Sequence, residues 1–484
     1  MARASMDPAV QPFAHLARVA QETPDRLFFH ALAQRMTYGE AADAARRIAG
    51  ELREIGVRPG DTVALDLPGG LHLVVLEALF HEAAIGWQQA PGASGADRLV
   101  PDWLITTTVR PATGARRTIV VDAPFLRRVG ARSTAIEPQA YPSPQAICRI
   151  VFSSGTTGYP KPVAFSIEMI EYRAVCAAGF WMRTPPFLSL LDVGTVSGFQ
   201  AFYAAVMRGE TYLVPGDPNH NVALIDLHEV ASIKASPAQV AGLVDALATE
   251  GTKVPSLRII QFAGSILPAP VAAAARRLTG AAIHNLYGST ETGTVAARYE
   301  DSDDPFDAGF VTEGTAVEIV DDADRVLPAG ATGTIRYRRP LQATEYFRDP
   351  EASARVFRDG WFYPGDLGTL AADGRLRLAG RASEIVNAGG VKVDPARVDA
   401  AAAGLPGIRD AAAFAFVNRV GLMEVALAIV TGPTFDAATV VRRLRAELGS
   451  AAPSVLFTID AIPRNRMGKP LRHELAALYA TTGA

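Results

Sequence analysis

Two cysteines in 484 residues, Cys148 and Cys176, rule out a disulfide framework and supply no Cys/His spacing that would hold a metal. Both read as core residues. No run approaches the roughly 18 uninterrupted apolar residues of a membrane span. The opening MARASMDPAVQPF lacks the apolar stretch of a secretory signal. An excess of positive charge is also missing: 47 basic residues face 50 acidic ones, for a net charge of −3, which argues against a general nucleic-acid binder. These absences lead to the expectation of a cytoplasmic protein with no membrane span and no nucleic-acid partner. What remains is ordinary globular composition, 49% hydrophobic and 20% charged, in a chain long enough for two or more domains.

Helices alternate with short apolar strands, which predicts an α/β fold. Tyr38 to Ile55 is amphipathic and ends near Gly56. Asp61 to Leu67 reads as a strand and Leu71 to Ala84 as a helix. Ser236-Pro237 opens a helix with Val240, Leu243, Val244 and Leu247 on one face. A strand at Leu257 to Phe262 runs into the turn Ala263-Gly264-Ser265. A helix follows at Ala269 to Leu278, then a strand at Ala282 to Leu286. Beyond about residue 310 the texture turns to shorter β segments, among them Val317 to Val320 and Thr334 to Tyr337. These predict a small β subdomain. After Arg381 comes a compact unit of about a hundred residues. It has strands at Ala411–Val417, Val425–Val430 and Val455–Ile459, a helix at Ala437–Leu448 and a last helix from Leu471. The expected architecture is a large N-terminal domain of α/β sheets with a small β subdomain, over 1–382, and a small mobile C-terminal α+β domain, over 383–484.

The segment SSGTTGYPK, Ser153 to Lys161, follows Ile150, Val151 and Phe152, which look like the end of a buried strand. Glycines there let the backbone approach a ligand closely. Hydroxyls, backbone N–H groups and one cation suit a cluster of phosphate oxygens. The P-loop pattern G-x-x-x-x-G-K-[ST] does not fit, because Gly155, Gly158 and Lys161 are spaced three apart and Pro162 follows the lysine. A hydroxyl-rich surface turn is the plainer alternative for the segment taken alone.

Further segments keep it company: YGSTE at Tyr287 to Glu291, WFYPGDLG from Trp361, GRASEIVNAGGVKVDP from Gly380, PRNRMGKPLR from Pro463, and MTYGEAADAARRIAGELREIGVRPGDTVAL from Met36. In this order and rough spacing they resemble the adenylate-forming superfamily of acyl-CoA synthetases, amino-acid adenylation domains and luciferases. The resemblance runs from about Met36 to Arg472.

The resemblance implies a site for ATP and Mg²⁺. Joining a carboxylate to the α-phosphate brings two anions together, so preorganised donors and cations should carry most of the rate. Ser153, Ser154, Gly155, Thr156, Thr157, Gly158 and Lys161 would hold the outer phosphates. Tyr287 would offer a flat face to the adenine, beside Gly264. Thr290 would donate to the α-phosphate, and Glu291 would be the Mg²⁺ ligand, although a helix-start carboxylate is an equal reading of that glutamate. Asp366 would accept the ribose hydroxyls near Arg381; an Asx-turn is its plainer role. The chain has Pro364 where many relatives carry threonine, but keeps the carboxylate. Lys469 would be the catalytic cation, swung in with the C-terminal domain about a hinge at Ser383, where the family more often has aspartate or lysine. Gly389 and Gly390 would pass a pantetheine arm; a plain turn is the alternative.

Substrate identity is expected between the phosphate loop and Gly209. Many acyl-CoA ligases have a histidine or aromatic where this chain reads LLDVGTVSGFQAF. Thr195 and Ser197 would give a small polar lining, with Phe180, Trp181, Phe199 and Ala263 as further candidates. Asp192 reads either as an anchor for a substrate ammonium or, better, as a helix N-cap. No carrier segment follows the Lys469 motif, so the thiol acceptor is expected to be CoA or a separate phosphopantetheinyl carrier protein. The expected activity is AMP-forming ligation of a small aryl or medium acyl acid to a thiol. Three rivals stand beside it: a standalone amino- or β-amino-acid adenylating enzyme that loads a separate carrier protein, a non-catalytic nucleotide-binding protein, and an oxygenase acting on an acyl adenylate.

Overall fold

The computed structural model describes residues 11–89, 99–108, 114–153, 160–300, 302, 304–388, 391–418, 421–465 and 468–482. The chain forms two compact units. The first comprises Met1–Lys234, Ser289–Gly293 and Pro340–Phe357; the second comprises Ala235–Gly288, Thr294–Arg339 and Arg358–Ala484.

The first unit is built on a six-stranded sheet in the order Arg117–Val120, Trp103–Thr106, Thr62–Asp66, Ile85–Gln88, Ile147–Ser153, Lys161–Ser166. The first five strands are mutually parallel and the last is antiparallel to its neighbour. Parallel strands are covered on both faces, which is why they read as unbroken apolar runs rather than alternating ones. The helix Tyr38–Ile55 starts and stops where its residues dictate. Thr37 and Glu40 form a reciprocal capping box, and Gly56 ends the helix at φ +111°. The helix Gly69–His81 is buried nearly all round, including His72, Glu77 and His81. With no polar face to mark its ends, it runs about two residues earlier than the sequence suggests. Cys148 is buried and Cys176 is partly so; both are free thiols.

The second unit pairs Ile259–Ala263 parallel to Ala282–Ser289, with Ala263 opposite Leu286. Its helix Pro237–Glu250 has Ser236 and Gln239 as a second capping box. The expected β texture is an antiparallel run in which Asp307–Val311, Arg375–Arg381, Asp366–Leu370, Gly333–Arg338 and Ala316–Val320 pair in that order. The last hundred residues hold a three-stranded sheet of Ile408–Val417, Met423–Thr431 and Val455–Thr458. The two-residue strand period sorts its side chains cleanly. Ala413, Val425, Leu427 and Ile429 face the helices Pro395–Ala403 and Ala437–Leu448. Ala412, Phe414, Ala426 and Ala428 face Leu475 and Tyr479 of the helix Arg472–Thr482. No helix among the described residues is long and apolar enough to cross a membrane.

Candidate active site

Strand register places two of the phosphate-loop residues. Ser153 ends one strand and lies opposite Lys161, the first residue of the next, so the hairpin closes the loop between them. Ser154, Gly155, Thr156, Thr157 and Gly158 lie outside the described residues, as do Gly389 and Gly390. Lys161 Nζ is 3.8 Å from Asp349, whose carboxylate also caps the helix Pro350–Val356.

Glu291 is 4% exposed, and its Oε1 accepts from the Tyr346 hydroxyl at 2.8 Å. Arg173 fixes the backbone here by donating to the carbonyls of Thr290 at 2.8 Å and Glu291 at 2.6 Å. Thr290 is half-buried. Neither Arg173 nor Tyr346 carried a signal in the sequence, because their link to Glu291 is made by folding across long separations. No cluster of three or more His, Cys, Asp or Glu able to hold a metal occurs among the described residues. A lone carboxylate still suits Mg²⁺, which takes one or two carboxylates and fills its shell with phosphate oxygens and water.

A second group forms in the other unit. Asp366 and Arg381 are register partners on adjacent antiparallel strands. The Arg381 Nε lies 2.9 Å from Asp366 Oδ1, and the Tyr287 hydroxyl donates to Asp366 Oδ2 at 2.6 Å. Burial and the Asp366 charge keep the Tyr287 hydroxyl protonated far above its ordinary range. Tyr287 also meets Tyr337 edge-on. Burial disfavours the Arg381 charge, but Asp366 and Glu384 outweigh it and raise the guanidinium further.

Lys469 lies in the electrostatic field of this group. Burial, and then the Arg381 charge, push its ammonium down to about 8, while Asp366 and Glu384 pull the other way. Its loop is tied internally. Asn465 accepts the Lys469 N–H at 3.0 Å and donates its own N–H to the Lys469 carbonyl at 2.9 Å. Arg464 bonds the Gly468 carbonyl at 2.7 Å and pairs with Asp410 at 2.6 Å. Gly468 takes φ +78°, and a Cβ there would stand 2.4 Å from the Ala238 Cβ. The loop thus packs directly on the start of the helix Pro237–Glu250. Ser383 is exposed in the turn after Arg381, where Ala382 donates to the Gly365 carbonyl at 2.9 Å.

A family model described as AMP-binding enzyme matches residues 16–78 and 93–347. The chain belongs to the AMP-binding enzyme family. It is 30% identical over 360 residues to the fatty acid–[acyl-carrier-protein] ligase MmaC of Mycobacterium marinum, covering 68% of this chain and 67% of that protein. It is 26% identical to the 2-hydroxy-7-methoxy-5-methyl-1-naphthoate–CoA ligase of Streptomyces carzinostaticus, over 94% and 90% of the two chains. The structure of o-succinylbenzoate CoA synthetase MenE from Bacillus subtilis, solved with ATP and magnesium, superposes with a TM-score of 0.83 at 25% identity, over 97% of this chain and 99% of that one.

In this AMP-binding enzyme the expected substrate segment resolves into local roles. Thr195, not Asp192, is the N-cap of the helix Val196–Arg208, accepting from the Gly198 N–H. Asp192 is exposed and accepts the Gly194 N–H at 2.8 Å, so its carboxylate serves its own turn. The N-cap expectation for Asp192 failed because the chain makes one more turn before the helix begins. Phe199 is 1% exposed and stacks on Tyr203 within the core. Trp181 is buried under the Lys234 ammonium, 3.8 Å from its ring centre. Phe180, Ser197 and Ala263 are half-buried, and Gly264 is exposed at φ +94°.

Proposed function

We propose that the chain is an ATP-dependent acid–thiol ligase. It activates a carboxylic acid as acyl-AMP with release of pyrophosphate, then passes the acyl group to a thiol. The observation that carries this is Asp366 held by Arg381 at 2.9 Å and by the Tyr287 hydroxyl at 2.6 Å, a carboxylate and a hydroxyl that suit a nucleotide sugar and base. In this reading Lys469 bridges the attacking carboxylate and the α-phosphate. Asp366 accepts from the ribose, helped by Arg381, and Tyr287, with Gly264 beside it, takes the adenine. Ser153, Lys161 and the loop between them hold the outer phosphates. Thr290 donates to the α-phosphate, and Glu291 would hold Mg²⁺, whose charge would offset that of the phosphate oxygens.

The second half-reaction needs Lys469 out of the way. We place the pivot at Ser383, with 1–382 as the fixed part and 383–484 as the part that turns, so that Gly389 and Gly390 meet the pantetheine arm. The acid is a small aryl or medium acyl acid, and the acceptor is CoA or a separate carrier protein; the naming of relatives as ligases to either thiol supports both. A cytoplasmic setting fits the two free cysteines. An amino-acid substrate is less favoured, since Asp192 is occupied by Gly194. The test is a panel of acids assayed for pyrophosphate release with CoA, with a phosphopantetheinylated carrier, and with neither. Acid-dependent release with thioester formation in one thiol arm is expected. Release from no acid sinks the reading.

A further inference from the structure

A set of polar side chains in the first unit has no part in that chemistry. Arg149, on the strand Ile147–Ser153, is 0% exposed. Its register partner on the neighbouring strand is Gly86, where a Cβ would stand 3.8 Å from Arg149 Nη1. The guanidinium lies over the Phe199 ring, 5.1 Å from its centre. Its Nη2 donates to the Val193 carbonyl at 3.2 Å, while Nε and Nη1 have no hydrogen-bond partner among the described residues. Gln88 lies two residues beyond Gly86 and so on the same face, and its buried Oε1 is also unpartnered. It lies close against Gly194, where a Cβ would come within 2.3 Å of that oxygen. His72 is 2% exposed, and neither ring nitrogen has a partner among the described residues. Burial, and then the Arg149 charge, push its imidazole down to about 3, so it stays neutral.

Buried donors and acceptors in folded proteins are almost always paired, and unpaired ones call for something that completes them. Arg149 and Gln88 both reach the Val193–Gly194 turn, and Gln88 ends its parallel strand, on the side where open α/β sheets bind ligands; His72 lies in the field of Arg149. Val193, Gly194 and Phe199 belong to the segment expected to recognise the acid. Among the described residues no carboxylate pairs with Arg149; Asp192, whose charge acts on it, is exposed and held by Gly194.

We propose that Arg149, with Gln88 and His72, receives a second oxygen function on the acid, a carboxylate or a phenolic hydroxyl, so that the enzyme selects dicarboxylic or hydroxylated acids over plain hydrocarbon-tailed ones. This rests on the ligase reading and makes Arg149 a specificity determinant within it. A guanidinium suits either group, and neutral imidazole and amide groups can donate to or accept from the rest.

The test compares full-length wild type with Arg149→Met in pyrophosphate release. The acids are straight-chain dicarboxylates from malonate to suberate, the benzene dicarboxylates and the hydroxybenzoates, each paired with the monoacid of like size. At least one pair should favour the doubly oxygenated acid by about tenfold or more in kcat/KM, expressed mainly in KM. Arg149→Met should abolish that preference with the KM for ATP unchanged. The favoured pair distinguishes carboxylate from hydroxyl. Equal use of paired acids, or a preference that survives Arg149→Met, overturns the proposal and leaves water as the occupant. If Arg149→Met does not fold, Arg149→Lys and Gln88→Leu carry the same comparison, and an unchanged ratio in both overturns it. Thermal stabilisation by each acid alone is read alongside. Stabilisation that Arg149→Met loses, with no pyrophosphate released, upholds the inference while the ligase reading fails.

Discussion

The Asp366 group and the Arg149 group bury similar chemistry under opposite conditions. Around Asp366 each charge has a partner: Tyr287 on one oxygen, Arg381 on the other, and Lys469 in their combined field. Around Arg149 one carbonyl is the guanidinium's partner, and two nitrogens have none among the described residues. The first group is complete in the protein and is set to act on what it binds. The second is completed by what it binds. A self-satisfied network reads as machinery common to every substrate, whereas an unsatisfied one reads as a lock for a particular substrate.

The comparison breaks most sharply at Lys469. Lys469→Ala should lower acyl-AMP formation by about 10²–10³-fold, the usual cost of losing one preorganised transition-state donor. Thioester formation from preformed acyl-AMP should change little, as single-turnover assays of each half-reaction would register. Equal losses in both halves would refute a role confined to adenylation.

Stability sharpens the contrast next. Asp366→Ala strands Arg381 beside Lys469 and should cost about 2–4 kcal/mol. Arg149→Met removes a buried cation that no carboxylate pairs with among the described residues, and should leave the melting temperature unchanged or higher. Thermal unfolding of the two variants would dispose of the distinction if both fell alike.

A pH effect comes third. With Lys469 brought down to about 8, kcat/KM for adenylation should fall tenfold per unit above about pH 8, and Lys469→Arg should move that fall to higher pH. Stability runs the other way. Between about 8 and its ordinary 10.5 the unfolded chain holds the lysine proton more tightly than the folded one, so this residue's contribution rises with pH across that window. A flat rate profile to pH 10 would remove Lys469 from the free-enzyme ionisation.

The smallest effect belongs to packing under the lysine loop. Gly468→Ala meets both φ +78° and the Ala238 Cβ, and should cost about 1–2 kcal/mol. Ala238→Gly in the same chain should restore part of the loss, which a double-mutant cycle would measure.

Much of this was legible in the residues. Tyr38–Ile55 and Ala437–Leu448 run as the sequence predicts, because a Thr37–Glu40 capping box and a following glycine are local signals. Gly69–His81 was less so, since a helix buried all round carries no periodic boundary. Asp192 misled because Asp and Thr195 are both good caps, and only the course of the chain chose between them. The motif residues Ser153, Lys161, Glu291, Asp366, Arg381 and Lys469 stood out by type and order. That Arg173 holds the backbone under Glu291, that Tyr346 holds its carboxylate, and that Arg149 lies buried between Gly86 and Phe199 did not. By itself the sequence determined the succession of elements and the kind of chemistry, since caps, periods and motif residues act over a few positions. Tertiary structure decided which buried charges are satisfied within the protein and which are not, because burial and pairing depend on segments far apart in the chain.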